Sequence, residues 1–264
     1  MRHLFKSLFP KRSNQLQFRW QQLKYAGINR RFKEQYPEIP VPDAYTLYES
    51  YQLNYKKYME DGELTANEIL NSVKKYLPAN PSILDWGCGP ARITRHLKKF
   101  CPTAVVSGSD TNTNTIAWNR VHIKEVNFVP QNHIPPLPFT NEQFNLVIGF
   151  SVLTHIPAEA QQSWLSELQR ILKPNGILWI STHGNHFIGQ LSKTGKQEIR
   201  EQGIYSTDFP VAGHRMMSTY HHPEKFKQLL EEKFKLLEYY DGATYPLKAG
   251  RQDLWVLRMA DVGF

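Results

Sequence analysis

The chain has 264 residues, of which 41% are hydrophobic, enough apolar material for the core of one α/β domain with additions. No apolar run approaches the roughly 18 residues that a membrane span needs, and the first residues lack a signal-peptide pattern, so we expect a cytoplasmic protein. Cys88 and Cys101 lack the spacing of paired metal ligands, which argues against a disulfide framework or a zinc site.

The net charge of +8 is concentrated at the start of the chain. Residues 1–33 contain nine Lys and Arg residues and no Asp or Glu, whereas the remainder is close to neutral. Two interpretations stay open for this basic arm. It either contacts an anionic surface, such as a bilayer leaflet, a nucleic acid or a phosphorylated glycan carrier, or it is a solvated segment with no partner.

The N-terminal region divides at a proline-rich stretch. Residues 1–36 mix aromatic and basic side chains without a firm helical period, although an interfacial helix would fit them. Residues 36–45 contain three prolines, which indicates an extended linker. We therefore predict a helical N-terminal extension made of a basic arm and linker over residues 1–44, followed by one domain over residues 45–264.

From residue 45 onward the pattern predicts alternating helices and strands. Helices are predicted at 45–77 with an interruption within 61–70, at 91–99, 113–120, 157–172 closed by "KPNG", and 223–232. Strands are predicted at 83–86, 104–109, 126–129, 144–150, 177–181, 234–240 and 253–259. Because the last two strands have no helix between them, we predict that they run antiparallel. The fold class is thus α/β, a doubly wound, Rossmann-like sheet of seven mostly parallel strands.

The segment "LDWGCGPARITRHL" lies at the first strand-to-helix turn, where doubly wound sheets bind ligands. Gly87 and Gly89 allow the backbone to turn sharply and approach a ligand. A dinucleotide loop would have a third glycine where Arg92 stands, which weighs against a pyrophosphate. Asp85 would repel a pyrophosphate but attract a cation, and Asp110, at the end of the next strand, can accept hydrogen bonds from two ribose hydroxyls.

This segment resembles motif I of the class I S-adenosylmethionine-dependent methyltransferases, D/E-x-G-x-G-x-G, with Ala91 in place of the last glycine. "VVSGSD" resembles the ribose-binding strand of that family, and "PPLPFTNEQFNLVIGFSVLTHI" and "SELQRILKPNGILWISTHG" resemble its fourth-strand and fifth-strand regions. With "YHHPEKF" and "GRQDLWVLR", the chain is similar to methyltransferase domains of types 11, 12 and 25 that accompany glycan-building systems.

The resemblance implies S-adenosylmethionine as the cofactor and a set of residues that would contact it. It implies Asp85 near the methionine moiety, Gly87 and Gly89 under the cofactor, Asp110 on the ribose, Asn132 near the adenine amino group and Ser151 at the methionine end.

A sulfonium methyl group is already activated, so catalysis needs alignment and, for a hydroxyl acceptor, removal of one proton. His155, after the fourth strand, is the first candidate for the base, and His183, at the end of the fifth, is the second. Either ring could instead serve only to hold its loop. Five of the ten histidines lie within 183–222, but without accompanying carboxylates, so we predict no metal site. Residues 185–222 are predicted to form a lid or an acceptor-binding insertion.

We therefore expect a cytoplasmic methyltransferase acting on a small-molecule or glycan acceptor, at a hydroxyl, with peripheral contact to an anionic membrane face. Two alternatives remain: an RNA or protein methyltransferase that uses the basic arm, and a non-catalytic binding protein with the same fold. Nucleic acid is the less favoured partner, and the oligomeric state is left open.

Overall fold

The computed structural model describes residues 10–207, 217–244 and 250–260, with side chains from residue 14 onward. The chain forms two compact units, Met1–Gly62 and Glu63–Phe264. The domain boundary predicted after residue 44 stays a prediction. None of the helices in the described ranges is both long and apolar enough to cross a bilayer.

The first unit is helical, which confirms the predicted helical extension. Its elements are α1 (Pro10–Gln35), α2 (Ala44–Ser50) and the first part of α3 (Tyr55–Val73). The Asp43 side chain accepts hydrogen bonds from the backbone nitrogens of Tyr45 and Thr46 and so begins α2.

The interruption predicted within residues 61–70 was wrong, because α3 continues through this stretch. A glycine inside a helix costs only about 1 kcal/mol. In the second unit the helix is held by the burial of Ala66, Ile69 and Val73, so tertiary packing outweighs the local signal.

The second unit contains the predicted sheet. Its strands are β1 (Ser82–Trp86), β2 (Val105–Asp110), β3 (Asn127–Pro130), β4 (Phe144–Gly149), β5 (Leu172–Thr182), β8 (Phe234–Tyr240) and β9 (Asp253–Met259), with a separate two-stranded sheet of β6 (Ile204–Ser206) and β7 (Thr219–His221). The helices are α4 (Thr94–Phe100), α5 (Thr113–His122), α6 (Gln161–Ile171), α7 (Asn185–Ile188), α8 (Lys193–Gln202) and α9 (Pro223–Glu231).

The seven strands follow the order β3-β2-β1-β4-β5-β9-β8, and β9 runs antiparallel to both of its neighbours. This confirms the mostly parallel, doubly wound architecture. Alternate residues of β1 enter different apolar clusters: Ile83 packs in one, and Leu84 and Trp86 pack in the other. Because both faces are covered, polar groups gather where the parallel strands end.

Two predicted boundaries differ from the structure. The "KPNG" stretch does not close a helix but lies within β5, where Asn175 adopts a φ of +61° before Gly176. Helix α4 begins at Thr94 rather than at residue 91, because Ala91 also lies in the left-handed region.

Candidate functional site

The loop between β1 and α4 turns through left-handed backbone at three alternate positions, Gly87 (φ +71°), Gly89 (φ +49°) and Ala91 (φ +61°). The Gly87 nitrogen donates to the Ser109 carbonyl over 2.8 Å, which joins the loop to the end of β2. A Cβ atom at Gly87 would lie 2.6 Å from Val152 Cγ2, so both the backbone angle and the space require glycine there.

Ala91 stands where the family motif has its last glycine. Its left-handed conformation costs roughly 1–2 kcal/mol more than for glycine. The Ala91 nitrogen donates to the Cys88 carbonyl over 3.0 Å, and the residue is buried. The turn geometry of the motif is therefore kept despite the substitution.

Asp110 lies directly beside this loop. Its Oδ2 accepts from the Gly89 nitrogen over 2.9 Å, and its Oδ1 accepts from the Asn112 nitrogen over 2.8 Å. Burial raises the pKa of this carboxyl, and these backbone hydrogen bonds partly oppose the rise. Each carboxylate oxygen has a second lone pair, so the group can still accept two hydroxyl hydrogens of a diol.

Asp85 is buried within β1, and the Thr94 hydroxyl donates to its Oδ2. This contact ties β1 to the start of α4. Burial raises the pKa of Asp85 to about 7, against the opposing effects of the Thr94 hydrogen bond and the Arg92 charge. A cationic ligand nearby would favour the ionised form.

Asn132 is exposed, two residues after β3. The preceding residue, Gln131, donates its backbone nitrogen to the Asp110 carbonyl over 3.0 Å. Within the described part of the chain, the buried Gln131 Oε1 has no hydrogen-bond partner. The segment after β3 is therefore joined to the end of β2 through the backbone of Gln131, a residue that sequence reasoning missed.

Ser151 follows β4 with a φ of +60°. Its nitrogen donates to Ser181 Oγ over 2.7 Å, and its hydroxyl lies 2.9 Å from Thr154 Oγ1. Gln252 Nε2 donates to the Ser151 hydroxyl over 2.9 Å. Ser151 thus belongs to a polar network that joins three strand ends.

The two candidate histidines differ in their surroundings. His155 Nδ1 lies 2.8 Å from the Met217 carbonyl. Because a carbonyl only accepts, Nδ1 must carry the proton, and Nε2 is the basic nitrogen of the neutral ring.

The His183 ring packs 4.3 Å from the Phe187 ring, centroid to centroid. Its buried Nδ1 has no hydrogen-bond partner among the residues that the structure describes. Burial, together with repulsion from His155 when that ring is protonated, lowers the pKa of His183 to about 4. His183 is therefore neutral at neutral pH.

Residues 83–176, from β1 into β5, match a family model described as a methyltransferase domain. The chain contains a class I S-adenosylmethionine-dependent methyltransferase domain. The cofactor of such a domain is S-adenosylmethionine, and the residues present fit it: Asp110 keeps acceptor capacity beside a loop in which glycine removes the Cβ at a crowded turn.

Curated relatives match this methyltransferase domain over part of their length. The trans-aconitate 2-methyltransferase of Variovorax paradoxus is 28% identical over 139 residues, which is 50% of this chain and 49% of that protein. A protein of Haemophilus influenzae is 31% identical over 101 residues, 36% of this chain and 39% of its own. The chain thus spans less than half the length of each of these two relatives.

Solved structures share the fold. A methyltransferase of Methanosarcina mazei, described as dependent on the same cofactor, has a TM-score of 0.56 at 19% identity, covering 71% of this chain and 96% of its own. The 1,6-didemethyltoxoflavin-N1-methyltransferase of Burkholderia thailandensis, solved with that substrate and S-adenosylhomocysteine, has a TM-score of 0.54 at 16% identity, covering 84% of this chain and 92% of its own.

The methyltransferase domain contains a buried acid that sequence reasoning missed. Asp253 begins β9, beside the end of β5, and accepts from the Tyr239 hydroxyl over 2.8 Å and the Gly242 nitrogen over 3.0 Å. Burial raises the pKa of Asp253 to about 6. A Cβ atom at Gly184 would lie 1.8 Å from Asp253 Oδ2, so only glycine fits against it. Nothing in the sequence pairs these positions, because their contact depends on the antiparallel pairing of β5 and β9.

Within residues 10–207, 217–244 and 250–260, no three His, Cys, Asp or Glu side chains are grouped so that they could hold a metal ion. Of the histidines of the insertion, His214 lies outside the described residues.

Proposed function

We propose that this chain moves the methyl group of S-adenosylmethionine to a hydroxyl of a small-molecule or glycan acceptor. The observation that carries the proposal is the left-handed glycine loop whose Gly89 nitrogen donates to Asp110. This arrangement holds a carboxylate with spare acceptor capacity at the strand ends, next to a second carboxylate, Asp85. Two acids suit a cationic adenosyl ligand and disfavour a pyrophosphate.

In this proposal, Asp110 accepts hydrogen bonds from the ribose hydroxyls, and Asn132 contacts the adenine amino group. Ser151 holds the methionine end, through a hydroxyl that the surrounding network orients. The buried carboxylate of Asp85 stabilises the positive charge at the methionine end of the cofactor. Gly87 and Gly89 let the backbone approach the ligand closely.

The proposed catalytic base is His155. When bound, S-adenosylmethionine supplies a methyl group that its sulfonium already activates. The chain must therefore align the acceptor and take up one proton. The Met217 carbonyl fixes the protonated nitrogen of His155, so its Nε2 is the atom that would take the proton from an acceptor hydroxyl.

His183 is the second candidate, and its surroundings favour orienting the acceptor over taking its proton. A pKa of about 4 makes it a weak base at neutral pH. We expect His155→Ala to lower turnover by about a hundredfold or more, and His183→Ala to lower it less, each with unchanged cofactor affinity. Unchanged turnover in both variants would remove the two histidines from the mechanism.

Titration calorimetry with S-adenosylmethionine tests the cofactor site. The wild type should bind, and Asp110→Ala and Asp85→Ala should each bind at least about tenfold more weakly. Glu125→Ala, which removes an exposed acid in the turn between α5 and β3, is the matched control and should bind like the wild type. No binding by the wild type would favour a non-catalytic protein with this fold. Equal binding by all variants would contradict the roles proposed for Asp110 and Asp85.

The acceptor class is supported by the names of the relatives. One acts on trans-aconitate and another on 1,6-didemethyltoxoflavin, both small molecules. We propose a hydroxyl acceptor, on a free small molecule or a glycan, with residues 185–222 forming the acceptor-binding element over it. Mass spectrometry of small metabolites, glycans and lipids from cells with and without the gene should reveal a compound that loses one methyl mass. Methylation only of nitrogen would contradict the hydroxyl assignment.

A glycan acceptor on a lipid carrier would require the protein to reach an anionic membrane face, and the basic arm would supply that contact. The second candidate function is an RNA or protein methyltransferase, favoured by the same nine cations interleaved with aromatic rings. Methyl transfer from labelled cofactor to total RNA or cell protein, with none to small molecules, would establish it instead.

A further inference from the structure

Helix α1 has apolar side chains on two opposite faces. One face packs inside the first unit, where Phe32 is buried and Phe18 and Tyr25 pack against the same cluster. Polar side chains on that face fix its position: Gln21 Oε1 accepts from the Leu53 nitrogen over 2.9 Å, and Asn29 Oδ1 accepts from the Tyr55 nitrogen over 3.0 Å.

The opposite side, which we call the outer face, consists of Leu16, Trp20 and Leu23. Their exposed fractions are 60%, 57% and 81%. At 3.6 residues per turn, these three positions lie within about 60° of one another around the helix. Soluble proteins expose single apolar residues routinely, but a contiguous row of three large ones marks a contact surface.

Cations border the outer face on both sides. Arg19 and Arg30 lie on one side of it and Lys24 and Arg31 on the other, all exposed. The Lys24 ammonium lies 4.6 Å from the centroid of the Trp20 ring. Long basic side chains in this arrangement reach past an apolar stripe toward phosphate groups. The first acid of the chain is Glu34, near the end of the helix.

We propose that the outer face of α1 binds the surface of a membrane that contains anionic lipids. The outer face is thus the surface that would make the membrane contact proposed above. The proposal rests on the proposed function only for the reason why the protein would bind a membrane, and not for the binding itself. Leucine side chains gain from contact with acyl chains but not from nucleic-acid phosphates, which disfavours RNA. Two copies of the face would bring like charges together, which disfavours self-association.

Vesicle sedimentation with the full chain tests the proposal. The wild type should sediment with vesicles of phosphatidylcholine and phosphatidylglycerol and much less with phosphatidylcholine alone. The triple variant Leu16→Ser, Trp20→Ser, Leu23→Ser keeps every charge and should bind at least about tenfold more weakly. Replacing the four bordering cations by Gln should remove the preference for phosphatidylglycerol.

Val121→Ser is the matched control, since Val121 is 61% exposed on α5 and the change should leave vesicle binding unchanged. Circular dichroism shows whether the triple variant keeps its helices. If it does not, the single variant Leu23→Ser is tested in its place. Wild-type binding to both vesicle types alike, or to neither, overturns the proposal. So does a wild-type dimer that the triple variant converts to a monomer, or RNA binding that the triple variant abolishes. Calorimetry with S-adenosylmethionine reports the cofactor site separately, so the two failures are distinguishable.

Discussion

Burial dominates the ionisation of the titratable side chains around the strand ends. It raises the pKa of Asp85 to about 7 and that of Asp253 to about 6, and it lowers the pKa of His183 to about 4 and that of His221 to about 3. At neutral pH the two histidines are neutral. The carboxyls are therefore the groups that a cationic ligand can shift toward the charged form.

We expect His221 to make stability depend on acid pH. The fully buried ring contacts Gln161 Oε1 through Nε2 over 3.3 Å, packs 4.5 Å from the Phe226 ring and faces His183. Because its pKa is depressed, the folded state binds fewer protons than the unfolded state below about pH 6.5. Stability that His221 contributes above that pH is lost as pH falls toward its folded pKa.

The measurement is urea unfolding of the wild type and His221→Asn at about pH 7.5 and about pH 5. Between the higher and the lower pH, the wild type should lose about 2 kcal/mol of unfolding free energy relative to the variant. The raised pKa values of the carboxyls make stability change with pH in the opposite direction. Because both proteins contain these carboxyls, their effect cancels when the two proteins are compared. An unchanged difference would mean that the ring is already charged or solvated.

At the scale of elements, three strand ends are joined through one amide. Gln252, just before β9, accepts from Ser181 Oγ of β5 over 2.6 Å and donates to Ser151 Oγ after β4 over 2.9 Å. The Ser151 nitrogen in turn donates to Ser181 Oγ. This closed set of hydrogen bonds holds Ser151 in its left-handed conformation.

We predict that Gln252→Ala weakens S-adenosylmethionine binding about tenfold while leaving the fold intact, because Ser151 loses the donor that orients its hydroxyl. Gln252→Glu keeps the acceptor for Ser181 but not the donor for Ser151, and should fall between. Calorimetry measures both variants, with Gln162→Ala on the exposed side of α6 as the control. Wild-type affinity in Gln252→Ala would show that Ser151 does not depend on this contact.

At the scale of the whole molecule, the sheet order gathers residues that lie far apart in sequence. Gly87, Asp110, Ser151 and His183 follow or end four parallel strands, and Asp253 begins the antiparallel strand beside them. A ligand bound there links β1, β2, β4 and β5 and stabilises the folded state over the unfolded one.

We therefore expect S-adenosylmethionine at about a hundred times its dissociation constant to add about 2.7 kcal/mol of stability. For a chain of this size, that raises the midpoint of thermal unfolding by roughly 5–10 °C. NAD at the same concentration is the control and should produce no shift, because the strand-end acids disfavour its pyrophosphate. Equal shifts with both compounds would contradict the assignment of the loop.

The fold class could be predicted because its signals are local. Strands buried on both faces are short apolar runs, as in 83–86 and 144–150, and their alternation with helices leaves few topologies. Helix α1 was harder to recognise, since apolar residues on two opposite faces, such as Phe18 and Trp20, cancel the period that marks an ordinary amphipathic helix.

The sequence by itself determined the sheet, the glycine loop after β1 and the acid at the end of β2, since glycines, acids and strand ends at fixed spacings need no distant partner to be recognised. Only the tertiary structure brought Gln252 to Ser151 and Asp253 to Gly184, because these contacts join residues 101 and 69 positions apart across antiparallel pairing. The tertiary structure also distinguished His155 from His183. Burial keeps His183 neutral, and a carbonyl partner fixes which nitrogen of His155 carries the proton, and neither environment is encoded in local spacing.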